Sequence, residues 1–298
     1  MHFKLCTLRW ALDLAGLQSL YFTSTSSISF DPFIKYDVHY RNQLTLCAKP
    51  EIWHPPINST WQIILPTPLT PRAITPTYQI YDIDLFINDE PIITTLHKSS
   101  HKVICYFSAG SYEPHRPDSA HFHASDKGNA LPGWDTERWL DTRSPNVRSI
   151  MQARLDRAAA LGCDGVDPDN VDAFGTDNGL DLSREDAVDY VRFLAAEAHM
   201  RGLALGLKNA NAIVERVVDV VQWAVNEECA SLRECGDLGT LGRAGKPVFH
   251  IEYPKGEGVS DGGFVGEEER MTACVFEGSG GFSTVLKNWN LDEWIQGC

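Results

Sequence analysis

From Pro50 onward the chain alternates short apolar, β-branched runs with longer segments in which apolar residues recur at helical spacing. Eight runs of the first kind stand out, at residues 61–65, 78–84, 102–107, 165–167, 203–207, 223–225, 247–251 and 282–286. Between them the pattern predicts helices. Ser144-Pro145 reads as an N-cap with proline at the first helical position, followed by Val147, Ile150, Met151, Leu155 and Ala158 on one face. Ser183-Arg184-Glu185-Asp186 opens a second helix that runs to Gly202, and Ile213, Val214, Val217 and Val218 mark a third. Eight strand–helix units in about 250 residues predict an α/β fold, a closed (β/α)8 TIM-like barrel. An open doubly wound sheet is the alternative, but no Gly-x-Gly-x-x-Gly opens any of the helices.

Polar residues gather where the apolar runs end: Asp82 and Asp84, Tyr106 and Ser108, Asp167 and Asp169, Lys208 and Asn209, Asn226 and Glu227, Glu252 and Tyr253, Lys287 and Asn288. In a barrel these ends form one face, which carries the chemistry. The densest cluster is Cys163-Asp164-Gly165-Val166-Asp167-Pro168-Asp169-Asn170-Val171-Asp172, with four carboxylates in nine residues. Such crowding implies solvation, a metal, or shifted proton affinities. An EF-hand is excluded, because the fifth, sixth and twelfth positions from Asp167 are Val171, Asp172 and Asn178. No Gly-x-Ser-x-Gly or His-Glu-x-x-His occurs. No metal and no cofactor is expected. Paired carboxylates remain, and their characteristic work is cleavage of glycosidic bonds. Alternation puts Asp167 and Asp169 on one side of the fourth strand, with Glu227 beyond the sixth, across the mouth. Tyr106, Tyr112, Trp134, Trp139, Tyr253 and Trp289 fall near the same face and suit a carbohydrate cleft.

A net charge of -14 disfavours nucleic acid and anionic membranes as partners and suits a cationic ligand. Of eight cysteines, Cys229 and Cys235 are spaced for a local disulfide, while Cys105 and Cys163 fit core packing or a mutual disulfide. Asn58-Ser59-Thr60 is a glycosylation sequon. Residues 1–50 read as a leader or linker, with an aspartate-interrupted apolar core at 10–17 too short to span a bilayer. Residues 51–298 read as the barrel domain. A secreted or cell-surface monomer is expected.

The assembled residues resemble glycoside hydrolase family 114, the endo-α-1,4-polygalactosaminidases, in its secreted fungal form. The resemblance runs from about Trp53 to Cys298 and rests on Tyr81-Asp82-Ile83-Asp84-Leu85-Phe86, the stretch 102–113, Trp139-Leu140-Asp141, the stretch 162–170, Gly206-Leu207-Lys208-Asn209, Val225-Asn226-Glu227 and the stretch 283–287. It implies cleavage of internal α-1,4-galactosaminidic linkages in a cationic, galactosamine-containing polysaccharide. It implies Asp169 and Glu227 as the catalytic pair, read here as nucleophile and acid/base with the reverse division left open, and Asp84, Tyr106, Asp167, Lys208 and Tyr253 lining sugar subsites. Lys208 and Lys287 would offset repulsion among the acids. The chain departs from the family at Ile87, where another acid commonly follows Asp-Leu-Phe. The alternatives are a catalytically silent polysaccharide-binding barrel and a metal-dependent hydrolase built on the cluster from Asp164 to Asp172.

Overall fold

The computed structural model describes residues 51–298; the readings of residues 1–50, Cys6 and Cys47 included, lie outside the described residues. The strands are β1 (Trp61–Ile64), β2 (Ile80–Asp84), β3 (Lys102–Ser108), β4 (Ser111–Tyr112), β5 (Lys127–Leu131), β6 (Trp134–Leu140), β7 (Gly165–Asp169), β8 (Ala204–Lys208), β9 (Trp223–Glu227), β10 (Val248–Glu252), β11 (Phe282–Lys287) and β12 (Ile295–Gly297). Eight of them, β1–β2–β3–β7–β8–β9–β10–β11, form a parallel sheet in chain order, and β12 adds an antiparallel strand beside β11. Each coincides with one of the eight apolar runs. The gap between β11 and β1 is bridged without a ladder. The Trp61 indole donates to the Ser283 carbonyl (2.7 Å), and the Leu65 amide to Leu291 (3.1 Å). Lys287 donates to Gln62 Oε1 (2.7 Å) and to the Asp292 carbonyl (2.6 Å). The result is a nearly closed (β/α)8-type barrel.

Strand alternation sorts the side chains into two cores. Outward residues such as Ile64, Ile83, Val103, Cys105, Val166, Leu205 and Leu207 pack under the helices. Inward residues, among them Trp61, Ile63, Ile80, Ile104, Trp223, Val225, Phe249 and Ile251, fill the lower and middle barrel. Trp223 fits because its neighbours give way: a Cβ at Gly165 or Gly206 would stand 2.5 or 2.3 Å from its ring. Inward positions at the top of the strands are polar.

The helices are α1 (Glu90–Lys98), α2 (Pro145–Leu161), α3 (Arg184–Met200), α4 (Val214–Val217), α5 (Gly239–Arg243) and α6 (Glu267–Cys274). The Ser183 box forms as expected, with Asp186 accepting from the Ser183 amide (2.8 Å). Ser144 precedes α2 but makes no side-chain cap; its hydroxyl donates to Asp126 instead (2.7 Å). No helix joins β1 to β2, and α4 and α5 are single turns. Between β3 and α2 lies an antiparallel sheet, β4–β6–β5, that the helical reading passed over. Its signal was Pro132-Gly133, with Gly133 at φ 79°, the dipeptide of a reversing turn. Among the described residues three disulfides tie the frame: Cys105–Cys163, Cys229–Cys235 and Cys274–Cys298. The first joins β3 to the approach to β7, and the second closes the turn after β9. Among the described residues no helix is long and apolar enough to cross a membrane.

Candidate active site

Three adjacent strands end in Asp169, Lys208 and Glu227, and the residue after each turns the chain sharply. Asn170, Asn209 and Glu228 all have left-handed backbones, at φ 61°, 48° and 62°. Asparagine tolerates that region through its short polar side chain; Glu228 has no such advantage. The turn after β7 is held by the Ala109 and Gly110 amides, both donating to the Asp169 carbonyl (2.8 and 3.0 Å). A Cβ on Gly110 would stand 1.6 Å from the Asn170 carbonyl oxygen, so only glycine fits. Pro168 lacks an N–H, and it sits where the β7–β8 ladder, paired only at Gly165 and Val166, has already ended.

The buried Lys208 ammonium stands 3.3 Å from Asp169 Oδ2 and 3.3 Å from Glu227 Oε2. Tyr106 donates to Asp169 Oδ2 (2.9 Å), and the Asn170 amide to Oδ1 (2.7 Å). Glu227 accepts from the Tyr253 hydroxyl and from Asn209 Nδ2 (3.1 Å), while Asn209 Oδ1 receives the Glu227 amide (2.9 Å). Burial pushes the Glu227 carboxyl up, but Lys208, Tyr253 and Asn209 together outweigh it and hold the group below its ordinary range. Burial works against the Lys208 charge, yet Asp169, Glu227 and Asp167 raise it well above the usual range. Burial and then the adjacent carboxylates raise both tyrosines well above theirs, so both stay donors.

These groups floor a cavity of about 860 Å³. Its walls carry Glu113, Glu137, Asp172, Glu228, Glu234 and Asp237 against Arg116, with Trp134, Phe174 and Trp289 along the rim. Burial and then Asp169 push Asp172 to about 6; burial pushes Glu137 to about 7, with Glu113 and Asp169 adding to it. Asp84 is fixed from both sides, accepting from the Phe86 and Ile87 amides and pairing with Arg116 (2.6 Å), which also pairs with Glu113 (2.7 Å).

The structure brings Asp84, Tyr106, Asp169, Lys208, Glu227 and Tyr253 together on the cavity wall. Asp167 is a correction: it is 0 % exposed and lies beneath the floor, because the strand carries it one inward step below Asp169. Lys287 is a second, spent on the β1 seam rather than among the acids. Asp172 also lines the cavity, whereas Asp164 of the same acidic cluster is paired with Lys102 (2.6 Å) and His97 (2.9 Å). Trp139 is buried against Leu131, Ala173 and Leu182 rather than presented to a ligand. Asn209, Arg116 and Glu137 carry weight that the sequence reading did not assign individually; only Asn209, beside Lys208 in a strand-end motif, left a signal. Among the described residues one group has metal-ligating atoms close together, Cys229, Cys235 and His250, and its two sulfurs are joined in a disulfide.

The model of glycoside-hydrolase family GH114 matches residues 43–298. The crystal structure of Aspergillus fumigatus Ega3 in complex with galactosamine is 50 % identical, with 83 % of this chain and 97 % of that one covered and a TM-score of 0.80. The glycoside hydrolase domain of PelA from Pseudomonas aeruginosa, at 15 % identity, shares the fold, with 80 % of this chain and 98 % of that one covered and a TM-score of 0.60. No curated protein sequence matches. By the extent of the family match and the identity to a solved relative, the chain belongs to glycoside hydrolase family GH114.

Proposed function

We propose that this chain is an endo-α-1,4-polygalactosaminidase that cleaves galactosamine-containing polysaccharide with Asp169 as nucleophile and Glu227 as acid/base. The observation that carries the reading is the pair of carboxylates at the ends of β7 and β9, joined by one lysine at the floor of an open groove. Asp169 attacks the anomeric carbon while Glu227 protonates the departing glycosidic oxygen. Water, deprotonated by Glu227, then releases the sugar from Asp169. One nitrogen lies 3.3 Å from an oxygen of each acid, so those oxygens stand no further apart than twice that distance. An inverting pair needs about 6.5–9.5 Å between carboxyls to admit its water. That upper bound touches only the lowest edge of the inverting range, and the spacing is compatible with retention. The excess of carboxylates along the walls suits a substrate that carries ammonium groups.

One observation favours the reverse division of roles: Glu227 is held below its ordinary range, as suits a nucleophile. Trapping the glycosyl intermediate and mapping the labelled residue separates the two. Asp169→Asn and Glu227→Gln are each expected to lower release of reducing ends from galactosaminan by about 10³-fold or more, with unchanged circular dichroism. Wild-type rates in either variant would sink the assignment, and binding without cleavage by the wild type would instead favour a silent binding barrel. Three disulfides and an exposed Asn58 in its sequon support a secreted or cell-surface enzyme.

A further inference from the structure

The carboxylates around the groove differ in what neutralises them. Asp84 and Glu113 share Arg116, while Asp169 and Glu227 share Lys208. Glu234 and Asp237 are exposed to water. Asp172 and Glu228 are partly buried, and no other side chain bonds to either. Glu137 on β6 is unlike all of these: it lines the cavity, partly buried, with no cation bonded to it, and yet its orientation is fixed.

What fixes it is a chain of neutral groups that runs back to Asp169. Ser111 Oγ lies 2.7 Å from Glu137 Oε2 and 2.6 Å from Ser108 Oγ, and the two serines are 0 % and 1 % exposed, so neither hydroxyl can turn to water. Asn170 Nδ2 (2.8 Å) and the Ser111 amide (3.1 Å) both donate to Ser108 Oγ. With its lone pairs taken, Ser108 gives its proton to Ser111, and Ser111 gives its own to Glu137. The Asn170 amide donates to Asp169 Oδ1 at the other end. The chain is therefore directional, and it presents Glu137 as an acceptor on the Asp169 side of the groove. Glu137 Oε1 receives no bond from the protein. Trp134, at the start of the same strand, is 57 % exposed on the same cavity, so β6 is a wall of the groove.

We propose that Glu137 is the specificity-determining residue that receives the ammonium group of the sugar unit lying beside Asp169, and so selects galactosamine over N-acetylgalactosamine at that position. An ammonium supplies the positive partner that Glu137 lacks, in a charge-assisted bond to an acceptor already oriented for it. An acetamide has no charge to supply and adds an acyl group. In support, burial, with Glu113 and Asp169 adding to it, pushes the Glu137 carboxyl to about 7, as befits an acid short of a cation. The inference rests on the galactosamine substrate of the proposed function and not on cleavage.

Calorimetric binding of fully deacetylated and fully N-acetylated galactosaminan oligosaccharides to the full chain at neutral pH tests it, in a Glu227→Gln background that prevents turnover. Glu137→Gln keeps the acceptor for Ser111 and the side-chain volume and removes only the charge. The parent is expected to prefer the deacetylated oligosaccharide. Adding Glu137→Gln should weaken that ligand by roughly 10- to 100-fold, the worth of a hydrogen bond to a charged group, and leave the N-acetylated one little changed. Equal weakening of both would show a merely structural role and overturn the inference. So would a preference that survives Glu137→Gln, or a parent that has none. A wild type that cleaves neither polymer would sink the proposed activity, while a Glu137-dependent preference in binding would still uphold the role of Glu137.

Discussion

The barrel holds two tiers of acids, which meet on β7, and they are treated in opposite ways. At the strand ends, Asp169 and Glu227 are bonded to Lys208, to one tyrosine each, and to Asn170 or Asn209. One inward step down, Asp82 and Asp167 receive no donor from elsewhere. Sequence alternation makes the tiers look alike; what differs is what surrounds them. Above, neighbouring strands also end in polar residues, while below they contribute Ile63, Ile104, Val225 and Ile251. The same residue type is ion-paired in one tier and left without a donor in the other.

The comparison breaks most violently if the upper tier loses its cation. Lys208→Met leaves Asp169 and Glu227 partly buried and facing each other, and removing one partner of a buried ion pair costs about 3–5 kcal/mol. The variant is expected to unfold at lower urea at neutral pH and to recover part of the loss in acid, where the stranded carboxylates protonate. A loss that stays the same from neutral to acidic pH would show that Lys208 contributes packing rather than charge.

In the lower tier the expected change has the opposite sign. Burial raises the folded affinity of Asp82 and Asp167 above that of the unfolded chain. As pH rises from the ordinary carboxylate range near ~4 through about 7 for Asp167, the unfolded state sheds protons that the fold retains, so stability falls. Asp82→Asn removes one of those groups. It should match the wild type near pH 4 and exceed it by roughly 1–3 kcal/mol at pH 8, as read from denaturant midpoints. Stability curves that stay parallel across that range would mean that Asp82 ionises freely in the fold.

The two tiers also differ in how far the sequence exposed them. All eight barrel strands were legible because each is a buried apolar run with β-branched residues, and the polar residues at their ends marked one face. Register within a strand was enough to pair Asp167 with Asp169, but not to tell the rim from the floor beneath it. That depends on how far each strand protrudes, which neighbouring strands decide. Lys287 shows the same limit: its position at the end of β11 resembles that of Lys208 at the end of β8, yet the seam with β1 captures it. The β4–β6–β5 sheet was passed over because polar residues fill its exposed face and only Pro132-Gly133 announces the turn. Arg116, which pairs with Asp84 and Glu113, sits in a loop where no periodicity points to it.

The smallest effect, and the sharpest for the division of roles, comes from the two tyrosines of the upper tier. Tyr253 donates to Glu227 and Tyr106 to Asp169, so each hydroxyl favours the ionised form of a different acid. Tyr253→Phe leaves Glu227 with Asn209 and Lys208, so its proton affinity rises only in part, by roughly half to one pH unit for a hydrogen bond to a charged group that is partly compensated. With Glu227 as the acid, the high-pH limb of kcat/KM moves up by that amount. If Tyr253→Phe moves the low-pH limb, Glu227 is the group that must be ionised to react, and the roles of the two acids exchange while Lys208 still joins them.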